Sequence, residues 1–510
     1  MTATLERPAA PEPPPREVPP TAALSPVVGW VVALAVGLVA GLLRFLRLDL
    51  PAGRIFDEVY YSCDAQNLLR FGVEVATRSD PDDASVAALC EPTGEPGFVV
   101  HPPLGKWAIA LGMRLLGEDE LGWRAAAALA GTLTVVVLVR LVRRMTGSTV
   151  LGAYAGLLLA MDGLHLVQSR VAMLDVFLVL WVVAAVACAV ADRDQVRARL
   201  AAGGAPGLRR PWLVGTGLCL GAAVGTKWSG LYFVAAVGLL VLAWEVGARR
   251  AAGEATALRT TLVRSVPLML GLLVVLPVAV YTASWTGWFL SDLGWSRQHG
   301  AENPATGLAA LVPEGLRSLW HYHQEVYRFH DGLSASHPYA SRPLSWLVLA
   351  RPVSYYYPQG IEQGEYGCAA AACSREVLAV GTPALWWAAL PVVLVLAWRW
   401  ATRRDWRAGA AVLLVATAVL PWVPADLDGR TMFLFYALPV VPFLCLALAL
   451  GVGLVAGDGS SRRRRTLAVA VGGGHLALVV ANLAWLYPVL AAVTIPLGDW
   501  QARMWFSSWI

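Results

Sequence analysis

The chain of 510 residues is 57% hydrophobic and 15% charged, with a formal net charge of +5. An ordinary soluble domain carries about 25% charged residues, so these values exclude a soluble globular protein and indicate an all-α polytopic membrane protein. The positive balance does not argue for a nucleic-acid partner, because the basic residues sit in short loops between apolar runs.

Residues 1–26 are proline-rich, with Pro11-Glu12-Pro13-Pro14-Pro15-Arg16, and read as a disordered cytoplasmic tail. The apolar run 27–46 has the roughly 20 residues a membrane span needs. No small-residue cleavage site follows it, so it reads as a retained anchor. Further spans are expected at 121–142, 149–165, 170–190, 212–227, 229–246, 266–286, 379–398, 407–424, 432–455 and 466–491, about eleven in all. Those at 149–165 and 212–227 are short enough to be re-entrant or tilted.

Arginines at 143–144, 193–210, 249–264, 399–407 and 462–465 fall on alternate connections. The positive-inside rule makes these cytoplasmic, with the N-terminus inside and the C-terminus outside. The chain then divides into the tail 1–26, an N-terminal membrane module 27–286 with a first outer loop 47–120, a second large extracytoplasmic loop 287–378, a C-terminal helical region 379–491, and an outer tail 492–510.

The polar stretch 54–106 is the candidate active-site loop. It opens on Arg54-Ile55-Phe56-Asp57-Glu58-Val59-Tyr60-Tyr61 and closes on His101-Pro102-Pro103-Leu104-Gly105-Lys106. Its acidic pair lies a few residues beyond a span, where a group can act on one substrate in lipid and another in water. Residues 102–116 suit an interfacial helix with proline in its first turn and Trp107 as anchor, or else the start of a tilted second span. Cys63 and Cys90 share this loop and Cys368 and Cys373 share the second, so pairing within each loop in an oxidising compartment is the economical expectation. Cys188, Cys219 and Cys445 lie inside spans as packing residues.

Asp57 and Glu58, adjacent in sequence, point in different directions and do not make the opposed carboxylates of a typical glycoside hydrolase. One carboxylate suffices as general base when the leaving group is a phosphate stabilised by fixed cations. The alternative reading is that both acids cap a helix over 57–70. Cations are at hand: Lys106, Arg124, Arg170 and Lys227 all map to the outer face, and of 40 basic residues only Lys106 and Lys227 are lysine. A compact ammonium suits a phosphate, although any single charge at a span end can instead snorkel to the interface. Asp175 is expected to pair with one of these cations. Five of the eight histidines (His299, His321, His323, His330, His337) lie in the second loop, with no zinc-ligand spacing, so no metal is expected. The aromatic run from Trp320 to Tyr357 suggests a folded lid.

Taken in order, Phe56-Asp57-Glu58-Val59-Tyr60, His101-Pro102-Pro103-Leu104-Gly105-Lys106, Gly122-Trp123-Arg124, Gln168-Ser169-Arg170 with Leu174-Asp175, Gly225-Thr226-Lys227-Trp228-Ser229-Gly230, Phe329-His330 with His337-Pro338-Tyr339, and Arg430-Thr431-Met432-Phe433-Leu434-Phe435-Tyr436 resemble the protein O-mannosyltransferase family in its compact, actinobacterial-type form. The resemblance covers about 40–490. It implies a GT-C-type membrane glycosyltransferase of about eleven spans that moves mannose from polyprenyl-phosphate-mannose to Ser/Thr hydroxyls of exported proteins, at the outer plasma-membrane face and near the secretion translocon. It implies inversion with Asp57 as base, Glu58 in support, and no cofactor beyond the lipid-linked donor. Donor phosphate contact carries onto Arg124, with Lys227, Lys106 and Arg170 as partners and His101, Asp175, Arg430, His330 and His337 in support. The second loop is too short for the β-trefoil domain of eukaryotic members. A related polyprenyl-phosphate-dependent transferase, moving aminoarabinose or arabinose, is the nearest rival. A transporter fits less well, since no repeat pairs the two halves.

Overall fold

The computed structural model describes residues 25–78 and 90–510. The proline-rich tail lies outside these residues except for its last two positions, as does the connector 79–89. The N-terminal half forms α1 (Pro26–Phe45), α2 (Glu58–Phe71), α3 (Leu104–Leu116), α4 (Glu120–Thr146), α5 (Thr149–Ala160), α6 (Gly163–Gln168), α7 (Asp175–Ala201), α8 (Pro211–Thr226) and α9 (Gly230–Ala251). There follow α10 (Val266–Ser284), α11 (Glu314–Asp331), α12 (Pro383–Arg403), α13 (Trp406–Leu427), α14 (Leu434–Ala456) and α15 (Arg462–Leu490). Each of the eleven expected apolar segments is thus largely helical, with 149–165 broken between α5 and α6 and 170–190 entering its helix only at Asp175. Nine helices among the described residues are long and apolar enough to cross a membrane, and the two flagged as short, α5 and α8, have 12 and 16 residues.

Local chemistry sets the helix ends. Ser25 accepts from the Val28 N–H and Pro26 opens α1, Asp119 caps α4 through Gly122, and Ser148 caps α5 through Leu151. Gly147, at φ 72°, closes α4 in the left-handed conformation that glycine takes without a Cβ clash. Burial sorts the bundle: 72% of the apolar windows of α7 and α14 is buried against 28% for α1, so the first two are central and α1 is peripheral. At the far end of α7 from Asp175, Arg210 reaches Asp192 at 3.0 Å and Glu245 at 2.8 Å, while Arg249 also meets Glu245 at 3.0 Å, tying α7, α8 and α9 together.

Gly217, Gly221 and Gly225 recur every four residues along α8 and let it press against α10 without a full-length span. A Cβ on Gly217 would lie 1.9 Å from the Leu272 carbonyl, and one on Gly221 2.7 Å from Val280 Cβ. Such small-residue spacing permits close backbone approach within a membrane. The packing fixes where α8 ends, and so where Lys227 stands.

The two large loops meet at one end of the bundle. In the first, α2 and α3 are joined by a hairpin of β1 (Val75–Thr77) and β2 (Pro92–Pro96), with a Cys63–Cys90 disulfide. Of the two readings of residues 102–116, α3 is a helix separate from the following span, ending at Leu116 before Gly117. The second loop carries α11 and the strands β3 (Val353–Tyr356), β4 (Ile361–Glu362), β5 (Ala372–Ser374) and β6 (Val377–Ala379), with a Cys368–Cys373 disulfide. Strand β7 (Ile495–Pro496) pairs with β5, so the outer tail is built into this loop, and the Trp500 indole donates to Glu376 at 2.6 Å. These short strands were not foreseen, because two- to five-residue pairings leave no alternating pattern to read. The Tyr322 hydroxyl joins the loops, accepting from the Val99 N–H at 2.9 Å and donating to its carbonyl at 3.0 Å.

Gly217→Val is expected to destabilise the detergent-solubilised protein by the upper end of the ~1–3 kcal/mol typical of overpacking. Gly238→Ala, with nothing within 4 Å of its Cβ, is expected to leave the melting temperature unchanged. Equal melting temperatures for both variants would contradict the close α8–α10 contact.

Candidate active site

Asp57 stands at the N-cap position of α2, yet its side chain makes no capping hydrogen bond. The capping alternative does not describe it. The residue is half-buried, and its carboxylate lies 3.5 Å from the Tyr61 hydroxyl one turn along. Burial pushes the Asp57 carboxyl up to about 6; the Lys227 ammonium pulls against that shift and Asp175 adds to it. A carboxylate in this range is a stronger base than an exposed one and still ionised near neutral pH.

Glu58 faces the other way and is fully buried. It accepts from Arg124 Nε and Nη2 at 2.8 Å each, from the Ala172 N–H at 2.9 Å and from the Ile55 N–H at 3.0 Å. Arg124, also fully buried, directs its other N–H groups to the carbonyls of Leu48 (3.2 Å), Pro51 (2.8 Å) and Gly53 (2.9 Å). All five guanidinium donors therefore have partners. Arg170 is engaged in the same way by the C-terminal carbonyls of α1, reaching Leu43, Arg44, Leu46 and Arg47 at 2.7–3.2 Å. Lys106 is 1% exposed and ion-paired to Glu74 at 2.6 Å and Asp64 at 3.3 Å.

Lys227, at the C-cap of α8, meets both oxygens of Asp175 at 2.9 Å. The partner expected for Asp175 is thus Lys227. The ammonium also lies 5.0 Å from the Tyr436 ring and 5.9 Å from that of Phe435, a separation at which cation–π attraction operates. On the open side stand His101 and His330, rings 5.5 Å apart, with Trp228 6.3 Å from His330. His330 donates Nε2–H to the Val100 carbonyl at 3.1 Å, which leaves Nδ1 to accept from Arg430 at 3.3 Å. Burial lowers the His330 imidazole to about 4 and takes His101 well below its ordinary value, so both are neutral. Arg430 also donates to the His330 carbonyl at 2.9 Å, while its buried Nε has no partner among the described residues.

Residues 116–290 match the family described as dolichyl-phosphate-mannose-protein mannosyltransferase, and residues 315–509 match the C-terminal four-transmembrane region of protein O-mannosyltransferases. The polyprenol-phosphate-mannose–protein mannosyltransferase of Mycobacterium tuberculosis is 38% identical over 99% of this chain and 97% of its own length. That of Mycolicibacterium smegmatis is 38% identical over 94% and 93%, and that of Corynebacterium glutamicum 34% identical over 94% and 93%. The chain belongs to the protein O-mannosyltransferase family. Its fold is that of the Saccharomyces cerevisiae Pmt1-Pmt2 complex solved with the sugar donor, with a TM-score of 0.73 at 16% identity over 96% of this chain and 93% of the other. It is a multi-pass membrane glycosyltransferase of GT-C type.

Within this mannosyltransferase the structure brings together Asp57, Asp175, Lys227, His101, His330 and Arg430. It does not present Arg124, Arg170 or Lys106 to a phosphate, and Glu58 does not share the face of Asp57. These four were read as working groups because sequence places a charge at a membrane level without showing what already satisfies it. His337 lies outside the cluster, its Nδ1 accepting from the Tyr339 N–H at 3.1 Å and its ring 5.0 Å from Phe433. The other loop histidines scatter: His299 stacks on His321 at 3.7 Å, and His323 meets the Tyr281 hydroxyl at 2.5 Å. Among the described residues no three His, Cys, Asp or Glu side chains gather into a metal-binding group. Tyr61, Tyr355, Phe435 and Tyr436 line the site without having been singled out for it. Their signal was the clustering of aromatic residues at 355–357 and 433–436.

Arg124→Met strands the buried Glu58 charge and three carbonyls, and is expected to destabilise the purified protein by about 3–5 kcal/mol. Adding Glu58→Gln is expected to recover part of that loss, seen as non-additive melting temperatures. An Arg124→Met protein of normal stability that had lost donor binding would return this arginine to a phosphate-binding role.

Proposed function

We propose that this chain transfers mannose from a polyprenyl-phosphate-mannose donor to Ser/Thr hydroxyls of exported proteins at the outer face of the plasma membrane, with inversion at the sugar carbon. The single observation that carries the reading is the half-buried Asp57, which makes no capping bond and whose carboxyl is raised to about 6 in the field of the Lys227–Asp175 pair. Full-length similarity to the mycobacterial polyprenol-phosphate-mannose–protein mannosyltransferases supports the choice of donor and acceptor.

Asp57 takes the proton of the acceptor hydroxyl as its oxygen attacks the anomeric carbon, and the bond from that carbon to the phosphate oxygen breaks on the opposite side. The departing phosphate gains charge, and Lys227 and Arg430 are the cations placed to receive it. Lys227 is held in direction by Asp175, and the Arg430 Nε lacks a partner of its own among the described residues. Fixed donors of this kind stabilise developing charge without reorganising. Neutral His101 and His330 add no competing cation at the acceptor side.

Placement at the outer face is supported by charge. Arg143 and Arg144 end α4, Arg249 and Arg250 lie in the last turn of α9, Arg403 ends α12 and Arg462 begins α15. All lie at helix ends away from the loops that carry Asp57, which the positive-inside rule assigns to the cytoplasm. The N-terminus is then cytoplasmic, the C-terminal segment outside, and acceptors are met as they leave the secretion translocon.

Membranes containing the protein are expected to move radiolabelled mannose from polyprenyl-phosphate-mannose onto a Ser/Thr/Pro-rich peptide. Asp57→Asn is expected to lower the rate by about 10²–10⁴-fold, the usual contribution of a general base, with donor binding retained. Near-normal turnover in that variant would remove Asp57 as base. Label from a different polyprenyl-linked sugar, but not from mannose, would keep the mechanism and change the donor.

The base must be ionised to accept a proton, so kcat is expected to fall as pH drops through about 6. Below that point the loss is about tenfold per unit. A rate independent of pH from 5 to 7.5 would contradict the assignment.

A further inference from the structure

We propose that Tyr355 and Phe435, from the C-terminal half of the chain, form an aromatic clamp that holds the backbone at Phe56 and so fixes the direction of Asp57; Tyr355 is a positioning residue for transfer.

Phe56 immediately precedes Asp57 and has φ 49°. This is the left-handed region, which a bulky L residue occupies only when its surroundings over-determine it. Those surroundings are specific. The Phe56 ring stacks on Tyr355 with centroids 4.1 Å apart and planes 7° from parallel, and meets Phe435 edge-on at 5.5 Å and 85°. Tyr355 and Phe435 brace each other at 6.0 Å and 79°.

Tyr355 is fixed independently of Phe56. Strand β3 carries it, paired antiparallel to β6 through Val353↔Ala379 and Ser354↔Leu378. Its hydroxyl accepts from the fully buried Gln168 Nε2 at 3.1 Å. The clamp therefore joins α6, β3 and the start of α14 around one residue of the first loop. On the other side of Asp57, Glu58 accepts the Ile55 N–H at 3.0 Å and donates its own N–H to the Ile55 carbonyl at 3.0 Å. The ion pair fixes the turn from below, and the clamp fixes the one torsion that the turn leaves strained. Relaxing φ at Phe56 to negative values re-aims the following peptide and carries the Asp57 carboxylate away from Lys227 and Asp175. The clamp also makes the N-terminal catalytic loop incomplete without the C-terminal half, although the carboxylate and Lys227 both belong to the N-terminal half.

The proposal rests on Asp57 acting as the base, and its test separates the two ideas. Mannosyl transfer to the peptide would be measured for Tyr355→Phe, Tyr355→Leu, Phe56→Gly, Phe56→Gly/Tyr355→Leu and Asp57→Asn, each first checked for a monodisperse, cooperatively melting preparation. Tyr355→Phe keeps the ring and is expected to cost less than about threefold; Tyr355→Leu removes the stack and is expected to lower kcat by about tenfold or more, with KM for the lipid donor changed less than threefold. Glycine accepts a positive φ without strain. In the Phe56→Gly background, itself slower through added backbone freedom, the same Tyr355→Leu change is expected to cost less than about threefold. Equal fold losses in the two backgrounds, or a loss confined to KM, would overturn the clamp while leaving the base in place. Full activity in Asp57→Asn would overturn the base, and the clamp with it. Should Tyr355→Leu fail to fold, Phe435→Leu probes the other ring, and the same background dependence is expected of it; its absence overturns the proposal.

Discussion

The buried ion pair between Glu58 and Arg124 is the constraint on which the site depends. Two opposite charges are removed from water completely, which is tolerable only because every lone pair and N–H is matched. The matching groups are not arbitrary. Arg124 holds the carbonyls of Leu48, Pro51 and Gly53, and Glu58 holds the N–H groups of Ile55 and Ala172. The chain leaving α1 is thereby pulled into one path up to Asp57 and tied to the segment ahead of α7. Arg170 performs the same service one turn earlier by capping α1. Arginines at a membrane surface invite a reading as ligand sites; here two of them shape the backbone that presents Asp57.

That distinction explains how far the sequence could be read. Span positions follow from apolar runs of about twenty residues, because lipid demands that every backbone group be satisfied within a helix. All eleven apolar segments are largely helical, and the brevity of α5 and α8 was visible in advance. The loop motifs also marked the residues on which the proposed chemistry rests, since charges that polar loops bring to one depth are few in so apolar a chain. Pairing was not visible. An isolated Arg124 in sequence looks the same whether its partner is a phosphate or a carboxylate 66 residues away, and only the long-range fold decides. The close contact of α8 was not read from the sequence either, although Gly217, Gly221 and Gly225 follow the small-residue spacing that marks such contacts.

The division of acidic labour in the loop follows the same logic. Adjacent residues at a helix start diverge by about 100°, so Asp57 and Glu58 cannot share an environment. Glu58 faces the core and meets Arg124. Asp57 points elsewhere, has no ion-pair partner among the described residues and is carried up to about 6 by burial. One motif thus supplies both an anchor and the carboxylate proposed as base. The assignment comes from surroundings, since the two side chains are chemically almost equivalent.

Electrostatic economy at the open side completes the picture. A donor whose phosphate bears negative charge is poorly served by an unopposed cation already desolvated, because an unpaired buried charge is costly in the empty enzyme. Lys227 avoids that cost by resting on Asp175, and its neighbours are aromatic faces and neutral imidazoles. In the proposed reaction the phosphate becomes a further acceptor for an ammonium that has three donors and gives two hydrogen bonds to Asp175. Arg124 and Arg170, whose donors are taken up by the scaffold, are thus a separate set from Lys227 and Arg430, the cations that the proposal assigns to the departing phosphate.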